Sequence, residues 1–221
     1  GMRTLGFEGG MAVPAVVAFG YGYLQGIEAA AAELGLEDGS VKVFYHYTGD
    51  FAETDQNKAT AKTMYQQGTE VIFACGGSVG KSVMSAAAEA GKKVIGVDVD
   101  QRYDSETVIT SATKGLGASV VSVLESIKEG TFDTYAAKTT YFNATNDGVG
   151  LPTVVLDGSS FNAFDRFASF DKAAYDAVFA KLVDGSVDPV RTITVADVGG
   201  VATADELTTG LSLEKVTVTV R

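Results

Sequence analysis

Cysteine and histidine are almost missing from this 221-residue chain, with one of each, Cys75 and His46. A lone cysteine excludes an internal disulfide and any zinc cluster built on thiolates. A lone histidine removes histidine-rich metal sites and leaves a Ser–His–Asp relay only if His46 itself serves. Basic residues are scarce too. Seventeen Lys and Arg face 28 Asp and Glu, for a net charge of −11 and a pI near 4.5. That balance argues against a nucleic-acid partner and against adsorption to anionic lipid, both of which need a basic face. No run reaches the roughly 18 apolar residues of a membrane span, so direct membrane insertion is not expected. Residues 11–36 come nearest, but Tyr21, Tyr23, Gln25 and Glu28 interrupt them. No leader peptide opens the chain. Gly1-Met2-Arg3 leads straight into a strand, as in a cytoplasmic protein or in a chain whose N-terminal part is left out.

What is present is an ordinary globular composition, 46% apolar and 20% charged with 26 glycines, enough for one domain or one and a half. Short β-branched runs alternate with longer helical stretches. Strands are expected at Thr4–Phe7, Val41–Tyr47, Glu70–Ala74, Lys93–Val97 and Thr107–Ala112. Helices are expected from Pro14 to about Leu34, and over Thr54–Gln67, Ser78–Ala90 and Gly115–Glu129. Strands spaced by 10–15-residue helices imply βαβ crossovers, hence an α/β fold with a parallel, Rossmann-like sheet. The runs VIFA and VIGV are continuously apolar, as strands covered on both faces are. Residues 1–130 therefore read as one α/β ligand-binding lobe. Beyond them the pattern loosens. Lys138–Phe142 reads as a strand, residues 143–150 as a polar turn, and Asp171–Asp184 as an amphipathic helix with Tyr175, Val178, Phe179 and Leu182 on one side. Thr192–Val198 and Lys215–Val220 alternate like strands with one wet face, while residues 152–170 carry no readable role.

Ligands of open α/β sheets sit beyond the carboxyl ends of the strands, and two such ends carry unusual chemistry. The first, VIFACGGSVGKS over residues 71–82, nearly spells a phosphate-binding P-loop. Gly80-Lys81-Ser82 ends that motif, but its leading glycine falls on Cys75, whose side chain obstructs the backbone curl around a phosphate. Asp98 would then serve on the magnesium side of a nucleotide hydrolase. More simply, Gly76 and Gly77 allow close approach of a ligand, and the helix after Ser78 offers N–H groups to its oxygens. The plain alternative is a glycine turn with Ser78 as N-cap.

The second end, VIGVDVDQ over residues 94–101, places Asp98 and Asp100 two apart, so an extended chain points them the same way. They suit sugar hydroxyls better than a metal, for which no further oxygen ligands are suitably spaced. A phosphotransfer D-x-D-x-T pattern fails because position 102 is Arg102. Asp100 reads equally well as the cap of the next turn. Lys114 can bond a ligand hydroxyl or pair with Asp98, or stand exposed at a helix start. His46 reads as a strand residue packed by tyrosines. No general base, activated nucleophile or metal triad emerges, so binding without conversion is expected, and no cofactor is implied.

Several segments, taken in order, resemble the basic membrane protein family, the purine-nucleoside-receptor-like substrate-binding lipoproteins of bacterial ABC transporters. They are LGFEGGMAVPAV, YTGDFAETDQNKATAKTMYQQGTEVIFACGGSVGKSV, AAAEAGKKVIGVDVDQ and VITSATKGLGASVVSVLESIKEG. The likeness runs through about residues 4–130 and resumes weakly at GVGL and LVDGSVDPV. It implies a type I periplasmic-binding-protein fold, in which two lobes close on a nucleoside. It implies an extracytoplasmic lipoprotein that hands its ligand to an ABC permease. Carried over, it assigns Gly76, Gly77, Asp98 and Lys114 to the ribose and Phe73 to stacking on the base. The family's lipoprotein signal and Asp-Lys-Ser-Phe-Asn-like first-lobe loop have no match here. Residues 131–221 are accordingly expected to complete the lobe or cross to an absent first lobe, with a C-terminal extension. Two alternatives stay open at this point: the effector-binding domain of a regulator, and the P-loop-like hydrolase.

Overall fold

The computed structural model describes residues 1–154, 162–190 and 210–221. The chain starts with strand β1 (Thr4–Gly9), helix α1 (Pro14–Glu33), β2 (Val41–Tyr47), α2 (Asp55–Gln66), β3 (Val71–Cys75) and α3 (Val79–Ala90). It continues with β4 (Lys93–Asp98), β5 (Val108–Lys114), α4 (Leu116–Lys128), β6 (Val149–Gly150), α5 (Lys172–Val183) and β7 (Val216–Val220). Two compact units divide it: residues 1–97, 101–109 and 189–221 form one, and residues 98–100 and 110–188 the other. The stretch 1–130 thus contributes to both.

In the first unit the strands lie in the order β5-β4-β3-β1-β2-β7. The pairs β1–β2, β1–β3, β3–β4 and β2–β7 are parallel, as the alternation of strand and helix requires. Register places Phe7 between Tyr45 and Phe73. These rings form a layer under α1, with Phe7 stacked on Tyr45 at 4.4 Å and edge-on to Phe73 at 5.6 Å. Helix α1 begins on Pro14, whose missing N–H costs nothing in the first turn. It lays Val16, Val17, Gly20, Tyr21 and Leu24 against this layer's side of the unit. A Cβ at Gly20 would lie 1.9 Å from the Tyr45 hydroxyl oxygen, so only glycine brings α1 this close. On the opposite face, Ile72 and Ala74 of β3 pack with Met64 and Tyr65 of α2 and with Val79, Val83 and Ala87 of α3. Thr54 caps α2 by accepting from the Asn57 N–H at 3.1 Å, and Gly91 ends α3 in the left-handed conformation.

In the second unit the far half of β5 pairs antiparallel with β6, Thr113 with Gly150 and Lys114 with Val149. Asn143 caps a short 3-10 turn over Ala144–Asn146, within the expected polar turn. Asp171 caps α5. Lys138–Phe142 is not a strand: four of its five residues are exposed and the segment pairs with nothing in the described sheet. In α5, Tyr175 and Phe179 face the unit's interior rings, whereas Val178 is 49% exposed, which narrows the expected apolar face. Along α4, Leu116, Val120, Leu124 and Ile127 are exposed. Thr192–Val198 lies outside the described residues.

Glu8 breaks the pattern of the first unit. It is fully buried mid-sheet between the register partners His46 and Ala74, and neither carboxyl oxygen has a hydrogen-bond partner. Burial disfavours its charged form and pushes the carboxyl from 4.5 up to about 8. The folded state therefore holds a proton that the unfolded state releases above pH 4.5. Stability is full below that value and falls as pH rises toward about 8, by at most ~1.4 kcal/mol per pH unit. Urea titrations from pH 5 to 9 are expected to show this decline in the wild type. The slope should be reduced in Glu8→Gln, which keeps the shape and cannot ionise.

Candidate functional site

Three strand ends of the first unit interlock at one edge. Beyond β1, the Gly10 N–H donates to the Cys75 carbonyl at 3.1 Å, and the Gly10 carbonyl accepts from Gly49 N–H at 2.9 Å. Beyond β2, the Phe51 carbonyl accepts from Ser78 N–H at 3.1 Å. The loops approach so closely that a Cβ on Gly76 would sit 2.8 Å from the Gly10 nitrogen. Gly76 is buried, whereas Gly77 and Ser78 are exposed. Gly77 has φ +57, and a Cβ built there would make ordinary contacts with Phe51 Cβ and O at 3.7 Å. Glycine is needed at 76 for close approach and at 77 for the left-handed backbone.

This geometry changes the reading of the glycine turn. The helix-start amides are engaged, with Ser78 N–H on Phe51, Val79 N–H on Gly76, Gly80 N–H on Gly77 and Lys81 N–H on Ser78. They form no open anion cradle. Ser78 stands at the N-cap position, but its side chain makes no cap bond. The Ser82 hydroxyl is also engaged, donating to the Thr54 carbonyl and accepting its N–H, each at 3.0 Å. Cys75 closes β3 as a buried residue. The P-loop alternative therefore fails on two counts: no free nest of amides, and no hydroxyl left for a metal. Phe73 is likewise out of reach of this edge. It is 3% exposed, and its ring meets Phe7, Phe19 and Tyr23 edge-on at 5.6, 6.1 and 5.3 Å, all inside the core under α1. His46 is a strand residue, but Tyr45 and Tyr47 point to the other face, and its Nδ1 lies 2.8 Å from the Arg221 carbonyl oxygen.

In the second unit, Asp98 ends β4 with φ 69, a left-handed backbone that Asp tolerates better than most residues. The strand pleat breaks there, so Asp98 and Asp100 do not share a face by alternation as the extended reading expects. Lys114, the last residue of β5, sets its Nζ 2.5 Å from Asp98 Oδ1, with the side chains 32% and 40% exposed. Oδ1 is shielded from water yet accepts no well-directed hydrogen bond, so the contact is an ion pair with acceptor capacity to spare. A half-exposed pair of this kind adds little stability. Its value lies in holding a carboxylate at a fixed place and angle. Sequence reasoning missed Gln101, whose Oε1 accepts the Val97 N–H at 2.9 Å and ties off the end of β4, and Arg102, which is 1% exposed despite its charge.

A family model described as ABC transporter substrate-binding protein, PnrA-like, matches residues 3–178. The ABC transporter nucleoside-binding protein BmpA of Lactococcus lactis is 32% identical over 198 residues, 81% of this chain and 52% of that protein. The chain thus spans about half the length of that relative. A solved solute-binding protein of an Aeropyrum pernix ABC transporter system superposes with TM-score 0.71 at 22% identity, covering 95% of this chain and 63% of that one. The structure of a transcriptional activator of the comK gene from Bacillus halodurans superposes with TM-score 0.63 at 16% identity, over 85% and 58% of the two chains. At these identities the structural likenesses show the fold alone, a periplasmic-binding architecture used by transport and regulatory proteins alike.

The interlocked edge makes a prediction about its glycines. Gly76→Ala drives a methyl group into backbone that cannot swing away, for a loss of about 1–3 kcal/mol. Gly77→Ala meets only ordinary contacts with Phe51 and loses the left-handed preference, about 1 kcal/mol. Chemical denaturation is expected to rank Gly76→Ala as the more damaging of the two.

Proposed function

The chain belongs to the PnrA-like ABC transporter substrate-binding family, and from that premise we propose that its ligand is a purine nucleoside, bound and released unchanged. The observation that carries the reading is Asp98, a carboxylate fixed at a strand end by a left-handed backbone and the Lys114 ion pair. Such a group accepts the two vicinal hydroxyls of a ribose at once. A solute lacking those hydroxyls leaves the carboxylate's acceptors unfilled, a mismatch that discriminates far more strongly than a missing methylene. Lys114 holds the carboxylate in place, and donates to a ring or hydroxyl oxygen. Within the first unit, the exposed Gly77 and Ser78 offer backbone and a hydroxyl to a ligand, whereas the buried Gly76 lets the Gly10 backbone come close. The name of the Lactococcus relative, a nucleoside-binding protein, supports the same ligand class.

In this reading the protein works outside the cytoplasmic membrane, held there by a lipid anchor, and delivers nucleoside to an ABC permease. The excess of acid over base, 28 residues against 17, suits a neutral solute better than an anionic one, because a nucleotide phosphate would be repelled. Binding rather than turnover follows from the site's chemistry: an ion pair and a glycine edge hold and orient, but they activate no nucleophile.

Isothermal titration with inosine, guanosine and adenosine tests the proposal. Saturable binding is expected for at least one of them, with the 2′-deoxy analogue markedly weaker. Asp98→Asn should lose at least about 100-fold in affinity, near 3 kcal/mol, and Lys114→Met about tenfold. No heat from any nucleoside, alongside tight binding of an unrelated solute, would overturn the ligand class and leave the family untouched.

A further inference from the structure

Helix α4 wears its apolar face on the outside. Leu116, Val120, Leu124 and Ile127 recur at the three- and four-residue spacing that lines side chains up along one helix face. They are 54, 58, 59 and 56% exposed, and Val121 beside them is 51% exposed. The face turned toward the rest of the second unit is built instead from small hydroxyls. Ser126 is buried, Ser119 and Ser122 are half-buried, and the Ser122 hydroxyl lies 2.6 Å from the Tyr135 hydroxyl. A surface helix of a globular protein normally arranges these two faces the other way round.

The second unit makes no use of the stripe for a core of its own. Among its described residues no leucine, isoleucine or valine is buried. Single exposed apolar residues are common and need no function. Five on one helix are different, because together they offer roughly 400–500 Å² of contiguous apolar surface, near the upper end for a monomer.

Charge says what can cover that surface. At about 100° per residue, Glu125 and Glu129 fall on the side of α4 away from Val120, and Lys128 is the charged residue at the border of the stripe. For a chain of net charge −11, two copies repel wherever carboxylates meet, and here none stand between them. Shape agrees as well. An antiparallel pairing of two α4 helices about Ser122 sets Val120 against the partner's Leu124. It also sets Gly117, where a Cβ would have no neighbour within 4 Å, against the partner's Ile127, so that bulk meets a gap.

We propose that α4 is a self-association face, on which a second copy of this chain packs its own α4 in two-fold, antiparallel fashion. Such a pair buries about twice one stripe, roughly 1,000 Å² with the flanking atoms, the size of a weak and reversible complex rather than an obligate one. The inference is independent of the ligand class.

Sedimentation equilibrium of the whole chain tests it. A monomer–dimer equilibrium is expected, with a dissociation constant on the order of 10–100 µM. Raising sodium chloride from about 20 to about 300 mM should tighten it several-fold, because salt screens the repulsion of two acidic copies and leaves apolar contact intact. Leu124→Glu should weaken the dimer at least about tenfold, with a melting temperature within a few degrees of wild type because the position is exposed. Leu34→Glu, at an exposed leucine of the first unit, should leave the dimer unchanged. A chain that stays monomeric up to about 200 µM overturns the proposal and leaves the stripe to an unlike partner. A dimer indifferent to Leu124→Glu, or one that salt dissolves, overturns it in favour of a different face.

Discussion

Phe7 lies between Tyr45 and Phe73 at the centre of the sheet, and the aromatic layer they form sets how near α1 can come. Gly20 is the answer to that constraint, since any side chain there would collide with the Tyr45 hydroxyl. That hydroxyl is itself bonded to Tyr47 at 2.8 Å, so the layer has little room to yield. With α1 seated on one face and the α2–α3 cluster on the other, the strands are locked in register. A slip by one residue would exchange Phe7 for Glu8 on the α1 side. Fixed register means fixed strand ends, and the candidate site residues lie at strand ends.

Those ends behave differently in the two units. In the first, the loops beyond β1, β2 and β3 bond to one another through backbone groups, the Phe51 carbonyl takes the Ser78 N–H, and the next α3 amides bond to carbonyls of their own turn, around an edge formed by Gly10, Phe51 and Gly77. In the second, charge dominates: Asp98 and Lys114 are partly exposed and pair with one another. The acidic character of the whole chain complements neither a nucleotide nor a nucleic acid.

Glu8 stands against this economy. A carboxyl with no partner in the middle of a sheet is a cost that stable proteins rarely carry. Burial raises the pKa of the neighbouring Tyr65 hydroxyl, and an ionised Glu8 would add to that rise; the hydroxyl itself is spent on the Lys93 carbonyl at 2.9 Å. The cost is kept small by leaving the acid protonated, which ties the strand's stability to pH without touching the ligand edge.

Periodicity and composition by themselves determined the α/β class and most of the helix and strand bounds to within a residue or two, and they singled out residues 76–78, 98 and 114 as candidates at strand ends. These are local properties: an apolar run, a proline at a helix start or a glycine pair after a strand acts on its immediate neighbours and can be read in order. The resemblance carried by the ordered segments was likewise legible, and the family match bears it out. What only the tertiary structure decided were properties that depend on partners far apart in the chain. Phe73 and Phe51 look alike as aromatics in a sequence; one is enclosed by Phe7, Phe19 and Tyr23, and the other is propped open by Gly10. The Ser78 amide at the N-cap of α3 reads as free in the sequence, but it is taken by the Phe51 carbonyl of a loop 27 residues earlier (78 minus 51). The strand at Lys138–Phe142 fails because no neighbour offers it a ladder, and Asp98 turns left-handed where the pattern implied extension. Burial and hydrogen-bond satisfaction are set by the whole fold, so no local pattern could have reported them.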